Sequence, residues 1–196
     1  AFDGIIPINN FFPMVEALGN VSKTRVRLQE EILAGCWESL SADRSDLLIC
    51  PRIETLPQDV KAETIGSMSM IWVAASSHYV HKRNGAFDEV AREKYRVIAI
   101  ADTAREQPAM SINILQKQPR LTVTNFSAKC EALINGLGIG TLPKQIALPL
   151  IAEGKLKVID GSPESPVEII MAWRRNKMGE AKSWCVQYLK KNWSLG

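Results

Sequence analysis

Residues 131–147 read EALINGLGIGTLPKQIA, and the three glycines at alternate positions, Gly136, Gly138 and Gly140, admit two opposite readings of the fold. A phosphate-cradling loop needs a strand before the glycines and a helix after them, so that free N–H groups at the helix N-terminus face the ligand. Here the flanks run the other way. Ala128–Leu137 places Ala132, Leu133 and Leu137 on one helical face, and Ile139–Leu142 is a short apolar run closed by Pro143. Gly136 and Gly138 therefore end a helix and start a strand, and Thr141 stands where the fingerprint would require its last glycine. Glycine just past a helix end supplies a positive φ, so the stretch marks a helix-to-strand turn and no nucleotide is expected.

Working outward from that turn, elements alternate. Toward the N-terminus, Phe2–Ile6 reads as a strand, Phe11–Leu18 as a helix, and Arg25–Gln29 as a strand with Val26 and Leu28 on one face. Cys36–Ala42 follows as a helix and Asp46–Cys50 as a short apolar strand. This order predicts a largely parallel sheet with helices on both faces. SMSMIWVAASSHYV, residues 67–80, is a long apolar strand. The segment Ala86–Tyr95, the strands Val97–Ala101 and Leu121–Thr124, the helix from Ala128 and the strand at Ile139 make a second alternating set. DGSPESP, residues 160–166, is a loop before the return strand VEIIMAWRR, residues 167–175, and an amphipathic helix at 181–191.

Composition narrows the function classes. The chain has 196 residues, 46% hydrophobic and 23% charged, enough to bury a core in one domain or two small lobes. Its net charge of +3 is scattered except at Arg174–Arg175 and Lys190–Lys191, so no basic stripe suited to gripping DNA is present. The four cysteines, Cys36, Cys50, Cys130 and Cys185, are far apart and form no C-x-x-C pair, which predicts reduced thiols in a cytoplasmic protein. No apolar run reaches the roughly 18–20 residues of a membrane helix, and the start does not read as a signal peptide. AFDGIIPI opens inside a strand, so further sequence is expected upstream.

No catalytic constellation emerges. His78 and His81 in SHYVHK are spaced for one helical face but have no acidic or cysteine partner at a plausible interval, so no metal site is expected. Ser67, Ser69, Ser76 and Ser77 lack a G-x-S-x-G elbow. Neither enzyme activity nor a cofactor is expected.

Several separated stretches, taken together, resemble one family. FDGIIPINNFFPMV at residues 2–15 gives a strand, a loop and a helix opening near proline; LSADRSDLLIC at 40–50 gives a helix ending in leucine, a turn, then Asp-Leu and an apolar strand. GLGIGTLPKQIALPLIAEGKL at 136–156 gives Gly-x-Gly-Ile, Leu-Pro and a downstream Gly-x-Leu. In this order and spacing, over nearly the whole chain, they resemble the effector-binding domain of LysR-type transcriptional regulators. One departure is Asp43, where the family usually has glycine; aspartate tolerates left-handed geometry better than most residues, so the turn should survive. The N-terminal helix-turn-helix of such regulators is absent from this chain, so DNA binding is implied only for a full-length parent.

The resemblance implies an α/β fold of two lobes, each a Rossmann-like mixed sheet flanked by helices as in periplasmic binding proteins. Lobe I would comprise residues 1–73 and 173–196, lobe II residues 74–172, joined by two crossing strands. A small-molecule effector would lie in the cleft between the lobes and alter the oligomer's DNA-binding conformation. Carried over by position, its contacts would be Ile6, Pro7, Ile8 and Asn9, then Glu31, Ile32 and Leu33, and from the second lobe Asp102, Thr103, Asn125 and Phe126. Residue chemistry leaves simpler readings open: Asn9 and Asn10 as helix caps, Asp102–Thr103 as a turn, Phe126 as core. The family further implies a homodimer of this domain, Phe12, Val15 and Leu18 of one copy facing Cys130, Ile134 and Leu137 of the other, a tetramer for the full-length parent, and no membrane association. A solute-binding protein of a transport system has a similar two-lobed fold and is the alternative.

Overall fold

A computed structural model of the chain describes residues 1–175 and 178–195. It divides into two compact units. The first comprises Ala1–Met68, Asp102–Ala109 and the chain from Val167 onward; the second comprises Ser69–Ala101 and Met110–Pro166. The chain passes from one to the other within two long strands, β4 (Val60–Ala75) and, at its first residues, β9 (Ser165–Arg174), and again on either side of Asp102–Ala109.

In the first unit the sheet is built from β1 (Phe2–Asp3), β2 (Glu30–Glu31), β3 (Leu48–Pro51), β9 and the start of β4, in the order β2-β1-β3-β9-β4. Phe2 pairs in parallel with Glu30 and Ile49, whereas β3 runs antiparallel to β9, Leu48 opposite Ala172. Helices α1 (Phe12–Gly19), α2 (Ala34–Ser41) and α6 (Glu180–Asn192) belong to this unit. Its core holds Cys36 and Leu40 of α2 against Leu48, Cys50, Ile170 and Ala172 of the sheet. Two expected strands are shorter than their patterns. β1 stops at Asp3 because its carboxylate accepts from the Ile5 amide at 3.0 Å and its carbonyl from Ile6 at 2.9 Å, which turns the chain. Arg25–Gln29 forms no ladder: pairing begins at Glu30, since the two residues of β1 offer nothing further to pair with.

In the second unit, the end of β4 pairs antiparallel with β7 (Ile139–Pro143) and β8 (Leu156–Val158), and β5 (Val97–Ile100) lies parallel to β6 (Arg120–Val123) and β7. Alternation along β4 sends Ile71 and Val73 into one cluster with Ile98, Leu133 and Leu142, and Trp72 and Ala74 into another with Phe87, Val97 and Ile159. Both sheet faces are thus covered. Ala86–Tyr95 yields only a short helix, α3 (Glu89–Arg92), capped by Asp88, whose side chain accepts from the Ala91 amide at 2.8 Å. Helix α4 (Phe126–Ile134) starts two residues before the expected Ala128. Helix α5 (Lys144–Ala152) gave no clear sequence signal, having Pro149 inside it.

The opening glycines divide the work. Gly136 takes φ +71° past the end of α4. A Cβ on Gly138 would lie 2.3 Å from the Arg96 carbonyl oxygen, so only glycine lets β7 approach β5 this closely. A Cβ on Gly140 would meet Cε of Lys129 at 3.1 Å. Asp43 adopts φ +56°, the left-handed turn expected of it.

Candidate functional site

The loops after β1 and β2 are tied together by a buried carboxylate that sequence reasoning passed over. Asp3 accepts from the amides of Ile5 at 3.0 Å and Leu33 at 3.2 Å and from the Cys36 thiol at 3.4 Å. Burial raises its pKa, opposed by those hydrogen bonds, and burial likewise pushes the Cys36 thiol far up. Leu33 is held at φ +53°, an unfavourable backbone for a leucine.

Asp102 and Thr103 follow β5 in sequence, yet their segment packs with the first unit, not the second lobe expected for it. The reason is a set of specific hydrogen bonds. The Asp102 carboxylate accepts from the Ala34 and Gly35 amides at 3.2 and 3.1 Å, capping α2, whose own preceding residue, Leu33, has no side chain able to do so. Thr103 donates to Glu31 at 2.5 Å and accepts from the Ile32 amide at 2.9 Å. Glu38, buried on α2, accepts at one oxygen from the consecutive amides of Arg105, Glu106 and Gln107, at 2.8, 3.0 and 3.2 Å, and at the other from Arg44 at 2.8 Å. The Arg44 hydrogen bond, then those amides, hold the Glu38 pKa down at about 2.

The structure therefore brings Glu31, Ile32, Leu33, Asp102 and Thr103 together, but as an internal network. Ile6, Glu31 and Ile32 are buried, and Glu31 is also engaged by the Gln29 amide group at 2.5 Å. Pro7 and Leu33 are half-buried, and Ile8 and Asn9 are exposed. Asn10 donates to the Ser194 carbonyl at 3.0 Å. In the second unit Asn125 caps α4, its side chain accepting from the Ala128 amide at 2.9 Å. Phe126, half-buried against the core, lies under the ammonium of Lys129, 5.6 Å from the ring centroid. That lysine, absent from the sequence-based site, is only 7% exposed, and burial lowers its pKa to about 8.

Other expected features fall as follows. Leu18 is 2% exposed and lies with Phe11 and Met14 on the inner face of α1, so it does not share an outward stripe with Phe12, which is 53% exposed, and half-buried Val15. On the second unit, Cys130 and Ile134 are half-buried and Leu137 is 46% exposed. A cavity of about 520 Å³ in the first unit is lined by α1, α6 and residues 24–29 and contains none of the expected ligand contacts. The His78 ring accepts from the Val80 amide at 3.1 Å, and the His81 ring pairs with the Ala75 carbonyl at 3.1 Å; burial lowers both pKa values. Among the described residues no three His, Cys, Asp or Glu side chains are grouped to hold a metal.

A family model described as LysR substrate binding domain matches residues 19–194. The chain is 40% identical over 190 residues to the probable HTH-type transcriptional regulator YhaJ of Escherichia coli strain K12, covering 96% of this chain and 64% of that relative. Among solved structures, the effector binding domain of QuiR in complex with shikimate matches with a TM-score of 0.70 and 19% identity, over 97% of this chain and 93% of that one. Full-length LysG from Corynebacterium glutamicum with bound effector Arg matches with a TM-score of 0.69 and 14% identity, over 97% and 66% of the two chains. At these identities the two structures establish a common fold, the mixed sheet with flanking helices of LysR regulatory domains.

Proposed function

The chain belongs to the LysR substrate binding domain family, and from that premise we propose that it senses a small-molecule effector on behalf of a DNA-binding transcription regulator. The observation that carries the reading is the 40% identity, across 96% of the chain, to an HTH-type regulator. That relative's name favours regulation over solute transport. The chain spans 64% of the relative's length, so operator binding is assigned to a helix-turn-helix of the full-length parent. The parent acts in the cytoplasm; among the described residues no helix is long and apolar enough to cross a membrane.

In the first unit, Pro7, Ile8, Asn9 and Leu33 retain surface for contact with the effector; in the second, Asn125 and Phe126 do. Ile6, Glu31, Ile32, Asp102 and Thr103 act behind them, fixing the backbone of those loops. Copies of this domain pair through Phe12 and Val15 of one and Cys130, Ile134 and Leu137 of the other, in a twofold dimer that the parent extends to a tetramer. The effector acts by favouring one conformation of that assembly over another.

The test screens a metabolite panel by thermal shift on this chain and then measures operator binding by the full-length parent. A compound that stabilises the chain should change the parent's affinity for DNA or its footprint. A parent whose DNA binding is indifferent to every compound that stabilises the chain would overturn the reading.

A further inference from the structure

Lys129 is an exception among the buried charges of this protein. Asp3, Glu31 and Glu38 are buried with hydrogen-bond partners, and the latter two also with Arg44 nearby. Lys129 is equally buried, and among the described residues it has no salt bridge and no hydrogen bond from its side chain; the Phe126 ring is its one polarisable neighbour. An ammonium largely shielded from water without a counter-charge is costly, and one whose Nζ still reaches solvent is open to a counter-charge from outside the protein.

The surroundings indicate what supplies it. Side chains on a helix lean toward its N-terminus, and Lys129 stands over Phe126, the first residue of the nine-residue α4. At that end Asn125 satisfies the Ala128 amide, leaving the amides of Phe126 and Ser127 without intrahelical acceptors. Helix α2 differs in having no side-chain cap from its preceding residue, and there the protein's own Asp102 carboxylate occupies the N-terminus. At α4 the protein contributes a buried cation and no acid. Gly140 keeps the site open on the β7 side, since a Cβ there would press on the lysine stem.

We propose that Lys129 and the first turn of α4 hold an anionic group of the effector, a single carboxylate, with the adjoining part of the ligand against the Phe126 ring. This rests on the effector-sensing reading and extends it: the effector is an organic acid with one carboxylate at this end. Burial lowers the lysine pKa, and among the described residues Cys130 is the one titratable side chain that acts on it electrostatically.

The experiment follows the Lys129 side chain by NMR in the 13C-lysine-labelled chain, with Lys129→Met identifying its resonance, and titrates acetate and benzoate at constant ionic strength. Either carboxylate should raise the Lys129 pKa and the melting temperature of the wild-type chain, and do neither in Lys129→Met; Lys129→Arg should keep part of the response. Benzoate should bind more tightly than acetate. An acid effector found in the metabolite panel should bind Lys129→Met about tenfold or more weakly, the scale of a lost charge-assisted hydrogen bond. A Lys129 pKa indifferent to both anions, or a thermal response surviving in Lys129→Met, would overturn the assignment. A neutral or cationic effector bound equally by both proteins would overturn it too, while leaving the effector-sensing function standing.

Discussion

Lys129 charges the fold a cost that its removal should reveal. The ammonium titrates near 8 in the folded chain against 10.5 when unperturbed, so below pH 8 the folded state carries a penalty that disappears as pH rises through 8 toward 10.5. Lys129→Met, of similar length and apolar, should therefore stabilise the chain at pH 7 by an amount on the order of 2 kcal/mol. In chemical denaturation this gain over wild type should shrink between pH 8 and 10.5; a gain independent of pH would show that packing, not charge, is responsible. Gly35 presents the opposite case. A Cβ there would stand 2.0 Å from Oγ1 of Thr103 and 2.7 Å from its carbonyl carbon, so the residue must be glycine for Asp102 and Thr103 to reach the start of α2. Gly35→Ala should destabilise by about 2–4 kcal/mol, as overpacking against backbone does. Unchanged protection of the Arg105–Gln107 amides from hydrogen exchange in that variant would argue against it.

At the scale of elements, what was legible follows from how local each signal is. The helix-to-strand turn at Gly136–Gly140 could be read because both flanks and the glycine at φ +71° are contiguous in sequence. The two long apolar strands could be read because runs such as Ile71–Ala75 are buried on both faces. Burial does not mark where the chain changes unit, however: the expected boundaries at 73–74 and 172–173 lie C-terminal to the divisions at Met68–Ser69 and Pro166–Val167. Arg25–Gln29 could not be excluded as a strand, because alternation says nothing about whether a neighbour is long enough to pair with. Leu18 shows the limit of carrying a helix face over by resemblance: Phe12, Val15 and Leu18 stand at i, i+3 and i+6, whereas the buried set Phe11, Met14 and Leu18 follows i, i+3, i+7. The corrected face of α1 makes a sharper experiment. Phe12→Asp and Leu137→Asp, both at exposed positions, should each convert a sedimenting dimer to monomer with a melting temperature within a few degrees of wild type. Leu18→Asp should instead unfold the chain, by burying an unpaired carboxylate. A dimer that survives both exposed substitutions would place the interface elsewhere.

At the scale of the whole molecule, residues 102–109 connect chain distance to stability. They leave β5 of the second unit and join the first, where Asp102 and Thr103 bind the start of α2 and the end of β2, and one carboxylate of α2 holds the three amides that follow Ala104. Nothing in the local sequence marks Glu38 for this role, because its partners lie 67 to 69 residues away and are backbone amides, which carry no residue signature. The same bonds give the contact a pH dependence of definite sign. With a folded pKa of about 2 against 4.5 unperturbed, Glu38 stabilises the fold fully above about 4.5, and its contribution is lost as pH falls from there toward 2. Protonation also weakens the pairing with Arg44 and the acceptance from three amides by a single oxygen, so the segment should loosen before the sheet does. Hydrogen exchange between pH 5 and 2.5, corrected for intrinsic rates, should show the amides of Arg105, Glu106 and Gln107 losing protection ahead of those in β3 and β9. Glu38→Gln, neutral at every pH but still able to accept through its carbonyl, should have weaker protection at neutral pH and a flatter acid limb. If the variant retained the wild-type acid profile, the titrating group would have to be sought elsewhere, and not at Asp3, whose pKa is raised by burial so that its protonation favours the fold.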